Sequence, residues 1–250
     1  MKISNFIKNI IQKRMKMYIF LSVVLWHLNF NKTMESIIAL KMLDPKKNER
    51  ILDVACGNGV FTRKLIKKGC KVVGIDISAE AITRARMITE NGCELVIGNA
   101  ESLPFRSNSF DKVISLCSLE HFENDEKSLS EIYRVLKNGG IVVLTVDSFT
   151  YKLNEGILYK HKKEHAVVNY YSVDKLKEKL EKFGFKLISY KYFVNSPLSV
   201  FFLKFGIQNR FGYIYKAIFP VAYVLGTISD IFLGKKDKGI FLAVKAIKAI

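Results

Sequence analysis

The chain has 250 residues, 49% of them hydrophobic, enough for one large domain or for one core with an appended cap. Its 40 Lys and Arg against 23 Asp and Glu leave a formal charge of +17, which draws polyanions, either nucleic acid or an anionic membrane surface. Four cysteines, Cys56, Cys70, Cys93 and Cys117, form no C-x-x-C pair, which argues against a disulfide framework or structural zinc and fits a reducing compartment.

From Met1 to Met34 there is no acidic residue, while Lys2, Lys8, Lys13, Arg14, Lys16 and Lys32 are basic. Ile3, Phe6, Ile7, Ile10 and Ile11 fall on one helical face, the pattern of a helix lying on anionic lipid. "MYIFLSVVLWHLNF", Met17 to Phe30, extends this as an apolar run broken only by Ser22, His27 and Asn29. A spanning helix needs about 20 apolar residues, so this run is too short to cross. It also lacks a signal-peptide cleavage site and the Arg and Ser of a mitochondrial presequence. Helices that simply pack on the domain would have the same composition.

Beyond the flank the periodicity alternates. "RILDVA" reads as a strand, "VFTRKLIKKG" as a helix, "KVVGID" as a strand and "SAEAITRARMITENG" as a helix capped by Ser78 and stopped at Gly92. "CELVIG" and "FDKVISLCS" are the third and fourth strands. "DEKSLSEIYRVLKNGG" is a helix closed by Gly139 and Gly140, and "IVVLTV" is the fifth strand. Such alternation predicts a doubly wound, mostly parallel α/β sheet. Ligands of these sheets sit beyond the carboxyl ends of the strands.

The stretch "RILDVACGNGVFTRKL" lies at such an end. Gly57 and Gly59 would let a ligand approach the main chain. "ACGNGVF" has no third glycine of a dinucleotide motif and no Gly-Lys-Ser/Thr of a P-loop, and Asp53 would repel a phosphate. An acid there suits a cationic ligand. Asp76, 23 residues later at the next strand end, can accept from ribose hydroxyls. A cationic head with a ribose behind it describes S-adenosylmethionine (SAM).

Four blocks in order, "ILDVACGNG", "VVGIDIS", "GNAESLPFRSNSFDKVIS" and "LEHFENDEKSLSEIYRVLKNGGIVVLTV", resemble the class I SAM-dependent methyltransferases. The resemblance is to the small-molecule and lipid branch typified by ubiquinone and menaquinone biosynthesis enzymes. It covers about Arg50 to Asp147 and implies a seven-stranded sheet with "FKLISYKYF" and "GIFLAVKAI" as the last strands. By the resemblance Asp53 would receive the SAM amino group, with Gly57 and Gly59 beside its methionine portion. Asp76 would hold the ribose, Ile77 would pack on the adenine, and Asn99 and Ala100 would meet the ring edge. Ala55 stands where the family's first glycine would be, and Leu116 opens the turn that faces donor and acceptor.

In that turn His121 is the acid/base candidate, able to take a proton from a hydroxyl as it is methylated. Alignment alone can also drive methyl transfer from a sulfonium. Quinone-precursor O-methyltransferases that read E-x-x-E-H hold a divalent metal there. This chain has Cys117 in place of the first Glu, so no metal is expected. The segment after the fifth strand, with Tyr151, His165, Tyr170 and Tyr171, would border the acceptor pocket, and "KHKKEH" could meet an anionic head group or be a solvated loop.

The apolar stretch Asn195–Gly234 reads as two or more helices with polar ends, a lid or a membrane contact. The expected organisation is an N-terminal segment 1–47, a SAM-binding core 48–147 and an acceptor-side segment 148–250 carrying the 195–234 insertion. The expected function is methylation of a lipid-soluble or lipid-linked small molecule by a cytoplasmic protein peripheral to the inner face of a membrane. A soluble small-molecule methyltransferase, an RNA methyltransferase and a non-catalytic SAM or lipid binder stay open. Against RNA, no recognisable RNA-binding module flanks the core.

Overall fold

A computed structural model describes residues 13, 14, 16, 17, 30–208 and 212–249. The expected amphipathic segment Met1–Phe30 therefore lies almost wholly outside the described residues. Lys13, Arg14, Lys16 and Met17 are helical and exposed.

In chain order the elements are α1 (Phe30–Leu43), β1 (Arg50–Val54), α2 (Val60–Lys67), β2 (Lys71–Asp76), α3 (Ala79–Thr89), β3 (Glu94–Ile97) and β4 (Phe110–Leu116). A 3₁₀ turn (Leu119–His121), α4 (Asp125–Val135), β5 (Leu136–Asp147), α5 (Glu155–Glu164), α6 (Val173–Lys182) and β6 (Phe185–Phe193) follow. The helix pair α7 (Pro197–Gln208) and α8 (Gly212–Leu233) precedes β7 (Phe241–Lys248).

The seven strands form one sheet in the order β3-β2-β1-β4-β5-β7-β6. All pairs are parallel except those of β7, which runs antiparallel between β5 and β6. β1, β2 and β5 are nearly continuous apolar runs because helices cover both faces of the sheet. On one face α1 and α2 bury Ala39, Leu43, Phe61 and Leu65 against Ile51, Ile114 and Val143. On the other, α4 and α6 bury Leu129, Ile132, Leu176 and Leu180 against Val113, Val142 and Val244.

β1 and β4 are neighbours, yet the helices after them pack on opposite faces. The chain thus parts at their carboxyl ends and leaves the crevice that doubly wound sheets use for ligands.

Most element boundaries follow the expected pattern, with informative shifts. Ser78 caps α3 by accepting from the Ala81 N–H at 3.1 Å. The helix stops earlier than Gly92, at Glu90 in a left-handed conformation (φ 54°). α4 ends at Val135, so Gly139 and Gly140 lie within β5 rather than closing the helix. A Cβ on Gly140 would come within 3.0 Å of the Asp111 carbonyl of β4, so the glycine permits a close strand approach.

Residues 30–43, expected within the N-terminal segment 1–47 either on a membrane or packed on the domain, are a helix that packs on β5 and β7. Residues 195–234 form two helices, and no described helix is long and apolar enough to cross a membrane. The pair is tied to the sheet through Asp230 of α8. Its carboxylate accepts from the N–H groups of Val194 (2.8 Å), Asn195 (3.2 Å) and Ser196 (3.1 Å), and from the Ser199 hydroxyl. Asp230→Ala strands those donors and is expected to cost about 2–4 kcal/mol in urea unfolding, with Asp230→Asn losing roughly half as much.

Candidate active site

Two cavities open at the carboxyl end of the sheet. The first, about 520 Å³, runs across the ends of β1, β2, β3 and β4 and is lined by Ala55, Asp76, Ile77, Asn99, Ala100 and residues 117–123 except Leu119 and Glu120. The second, about 320 Å³, lies between α1, the turn after β4, the end of β5 and α5. Cys117 and His121 line both. A group held in one cavity therefore meets a group held in the other at these two residues.

The first cavity gathers most of the residues expected to hold SAM. Both oxygens of Asp76 are anchored, one by the Gly57 N–H at 2.8 Å and the other by the Ser78 N–H at 2.9 Å. A carboxylate has lone pairs left for ribose hydroxyls after two such bonds. Gly57 has φ +56°, and a Cβ there would meet nothing within 4 Å, so its missing side chain faces open space. Ile77 is 72% exposed at the lip of the cavity, an apolar surface free to cover a flat ring. The Asn99 Oδ1 already accepts from the Glu101 N–H at 2.8 Å, which turns its side chain toward its own loop, while buried Ala100 lines the cavity.

Three expected residues stand elsewhere. The absent side chain of Gly59 faces α3, where a Cβ would lie 2.9 Å from that of Ala85, so this glycine serves loop-to-helix packing. Leu116 packs beneath the turn against the α1 and α2 cluster. Asp53 is 2% exposed below the glycine turn and accepts from the Thr62 hydroxyl at 2.6 Å. Burial pushes its pKa up to about 7, against the lowering effect of the Thr62 bond and with a smaller push from Asp76. Ala55 carries more than an added methyl. It adopts φ +57°, a conformation that costs an L-residue about 1 kcal/mol and that a glycine would adopt without that cost.

The second cavity has an apolar wall of Phe149, Phe193, Leu203 and Phe241 and a polar floor of Lys32, Glu35, Cys117, Glu120 and Asp147. Lys32 donates to Glu35 at 3.0 Å, and Thr145 donates to the other Glu35 oxygen. The Thr145 oxygen in turn accepts from the Cys117 N–H at 2.9 Å. Burial alone would lower the Lys32 pKa, but the charge of Glu35 outweighs it and holds the ammonium protonated. Burial, with help from Glu35, keeps Cys117 a thiol rather than a nucleophilic thiolate. Desolvation pushes Asp147 up to about 7, against the lowering effect of Lys32, and pushes Glu120 well above the usual carboxylate range, with Asp147 adding to the Glu120 shift.

His121 sits at the rim with Nδ1 3.5 Å from the Ala166 carbonyl, its pKa lowered chiefly by desolvation. His165 lines the cavity beside His161, whose Nε2 lies 3.6 Å from Asp147. Burial and the two neighbouring imidazoles pull His161 down to about 4, so it is neutral at physiological pH.

Of the tyrosines expected here, Tyr170 stacks beside Phe149 and places its hydroxyl 3.4 Å from His161 Nδ1. Tyr151 packs behind the wall with Phe193 and Phe241. Tyr171 is a core residue instead: it is fully buried, and its hydroxyl donates to Asp125. Lys32, Glu35, Glu120, Asp147 and Phe149 were not among the expected site residues, whereas His161 belongs to the "KHKKEH" run expected near the acceptor. Of the former, only Glu120 carried a signal, as the neighbour of His121. Among the described residues, one group brings potential metal ligands together, Cys117 with Glu120 and Asp147, their ligand atoms within 4.8 Å of one another.

Comparison with known proteins agrees with this geometry. The family model described as a methyltransferase domain matches residues 52–144. Demethylmenaquinone methyltransferase of Corynebacterium kroppenstedtii is 40% identical over 110 residues, which are 44% of this chain and 46% of that enzyme. The chain thus spans about half the length of that curated relative. The protein MJ1252 of Methanocaldococcus jannaschii, of uncharacterised function, is 30% identical over 195 residues, covering 68% of this chain and 75% of its own. Among solved structures, phosphoethanolamine N-methyltransferase 2 of Haemonchus contortus in complex with SAM superposes with a TM-score of 0.62 at 23% identity. That match covers 86% of this chain and 52% of the other, and shows that the two share the Rossmann-like methyltransferase fold. The chain belongs to the class I SAM-dependent methyltransferases. SAM is the cofactor of that class, and the open backbone at Gly57, the anchored Asp76 and the buried Asp53 fit it.

If the SAM ammonium sits above Asp53, as the resemblance implies, it would lower the pKa of that carboxyl, and binding below pH 7 would release a proton. SAM affinity is therefore expected to rise from pH 5.5 toward about 7, by at most about tenfold per unit, and to flatten above. Asp53→Asn should bind more weakly and lose this slope, as read by calorimetry in buffers of different ionisation enthalpy.

Proposed function

We propose that this protein transfers the methyl group of SAM to a small apolar ring acceptor of the quinone class, taken from a membrane surface. One observation carries the transfer: the cavity holding the expected donor residues and the cavity walled by aromatic side chains meet at Cys117 and His121. The demethylmenaquinone methyltransferase relative supports the acceptor class.

When bound, SAM supplies an electrophilic methyl group on a sulfonium. The chain's own residues do the rest. Asp76 and Gly57 fix the ribose and the methionine portion, and the buried Asp53 favours the cationic end. Phe149, Phe193 and Phe241 exclude water and hold the ring flat, so much of the rate comes from alignment. His121, neutral at the rim, is placed to accept a proton.

The membrane reading rests on α8. Val221, Val224, Leu225, Ile228, Ile231 and Phe232 are exposed along its second half, Phe232 at 79%, with Phe201 of α7 also exposed. Lys235 and Lys236 follow at the helix end. An exposed apolar row beside lysines is the make-up of a helix that lies in an anionic lipid interface.

With methyl-labelled SAM and an extract split into lipid, RNA and water-soluble pools, label is expected in the lipid pool and absent with Asp53→Ala. Label in RNA alone would overturn the acceptor reading. In vesicle flotation the wild type is expected to rise with anionic liposomes, and the Ile228→Asp, Phe232→Asp double variant to stay below. A double variant that floats equally well removes α8 from the contact.

A further inference from the structure

Among the described residues that line the second cavity, two buried side-chain atoms have no hydrogen-bond partner, Asn31 Oδ1 and Glu120 Oε2, and only the second is a carboxyl oxygen. Glu120 is fully buried, and two of its hydrogen-bonding groups have partners. Its carbonyl accepts from the N–H groups of Val168 (2.8 Å) and Asn169 (3.2 Å), which fastens the loop after α5. Its Oε1 accepts from the Asp147 N–H at 3.2 Å, which fastens the end of β5. Its Oε2 accepts from nothing, although the side chain lines the cavity. Buried carboxylate oxygens without donors are rare and costly.

The neighbours do not supply the missing donor. The Lys32 ammonium and the Thr145 hydroxyl are turned to Glu35. His161 faces Asp147. The opposite wall is Phe149, Phe193, Leu203 and Phe241, which offers no side-chain donor. Asn31, His121 and His165 also line the cavity, but none of them is bonded to Oε2, so the donor has to arrive with whatever fills the cavity.

We propose that Glu120 Oε2 receives a hydroxyl hydrogen of the acceptor ring, and that this bond selects rings bearing a free hydroxyl over rings of the same shape without one. The inference deepens the ring-acceptor reading and rests on it. Three carboxylates, Glu35, Glu120 and Asp147, stand against one lysine on this floor. Burial pushes the Glu120 pKa up, whereas a hydroxyl donated to Oε2 favours its ionised form. A ring carboxylate would add a further anion, so the same site disfavours a ring carrying a carboxylate. An anionic head group, which the basic run of α5 suggested in the sequence, does not suit this floor. No residue of that run other than His161 and His165 lines the cavity.

The bland alternative is that Glu120 only braces Asp147 and the loop after α5. Glu120→Gln separates the two roles. A glutamine carbonyl can still accept from the Asp147 N–H, so the brace is kept, while the amide nitrogen at the other position cannot accept a hydroxyl hydrogen.

The test uses the full chain loaded with S-adenosylhomocysteine, titrated by calorimetry with 1-naphthol, 1-methylnaphthalene and 1-naphthoate in excess chelator. Wild type is expected to prefer 1-naphthol to 1-methylnaphthalene by about tenfold, the size of one net hydrogen bond once the buried carboxyl has been ionised. It should reject 1-naphthoate. In Glu120→Gln, with an unchanged melting temperature, that preference should fall to about threefold or less. If naphthol and methylnaphthalene bind alike, or the Gln variant keeps the preference, the assignment to Glu120 is overturned while the ring-acceptor reading stands. If none of the three binds, the ring-acceptor reading fails and takes this inference with it. If the preference appears only when zinc or magnesium replaces the chelator, Oε2 is a metal ligand and the inference is equally overturned.

Discussion

The ligand end of this molecule hangs on a buried polar chain that runs from helix to sheet: Lys32 to Glu35, Glu35 to Thr145, and Thr145 to the backbone of Cys117. A charge taken out of water must be matched by a partner at close range or it will not stay ionised. α1 supplies both the carboxylate and the ammonium, so the charges enter the interior already paired, and the threonine hydroxyl carries the tie on to β4 and β5. That tie decides where the turn after β4 stands. It brings Cys117 and His121 between the two cavities.

Positive φ occurs at both ends of the sheet, at Asp44, Asn48, Glu90, Asn91 and Asn108 on the far side, but the residue types that tolerate it least stand at the ligand end. Ala55 after β1, Cys117 after β4, Phe149 after β5 and Val194 after β6 all adopt positive φ, between 43° and 57°. For a β-branched residue such as Val194 this is a conformation that only surrounding structure can enforce. The carboxyl ends of four strands thus turn sharply out of the sheet within a short span. The opposite end of the sheet is built more plainly, with Lys248 donating to the carbonyls of Tyr133 and Leu136 and to Asn108.

What the sequence revealed follows from how each half of the site is built. The first cavity is made largely of backbone turns in consecutive strand-loop-helix units, so Asp53, Gly57, Asp76 and Ile77 lie within 25 residues and betray themselves by spacing. The seven-stranded sheet was legible for the same reason, since its periodicity is local. The second cavity draws on α1, the turn after β4, the end of β5, α5 and β7, with no spacing to link them. Lys32 and Glu35 read as an ordinary surface pair at i, i+3, and Asp147 as the polar end of a strand. Tyr171 misled because tyrosines adjacent in sequence point to opposite sides. Tyr170 faces α5, whereas Tyr171 goes into the core to meet Asp125. Gly59 misled because its neighbour Gly57 does open on the crevice, while Gly59 itself answers to Ala85.

The antiparallel placement of β7 also has a bearing on synthesis. β7 follows every other strand in the chain, yet it lies inside the sheet, between β5 and β6, and contributes Phe241 to the wall of the second cavity. Until residues 241–248 have left the ribosome, β5 and β6 each present an unpaired edge, and β6 has no neighbour at all. The half of the sheet formed by β1 to β5 can assemble while the chain is still emerging, as domains do in order of synthesis. The acceptor half cannot. The growing chain thus exposes sticky strand edges for the time taken to make about a hundred residues beyond β5, a window in which a holdase chaperone would find its targets.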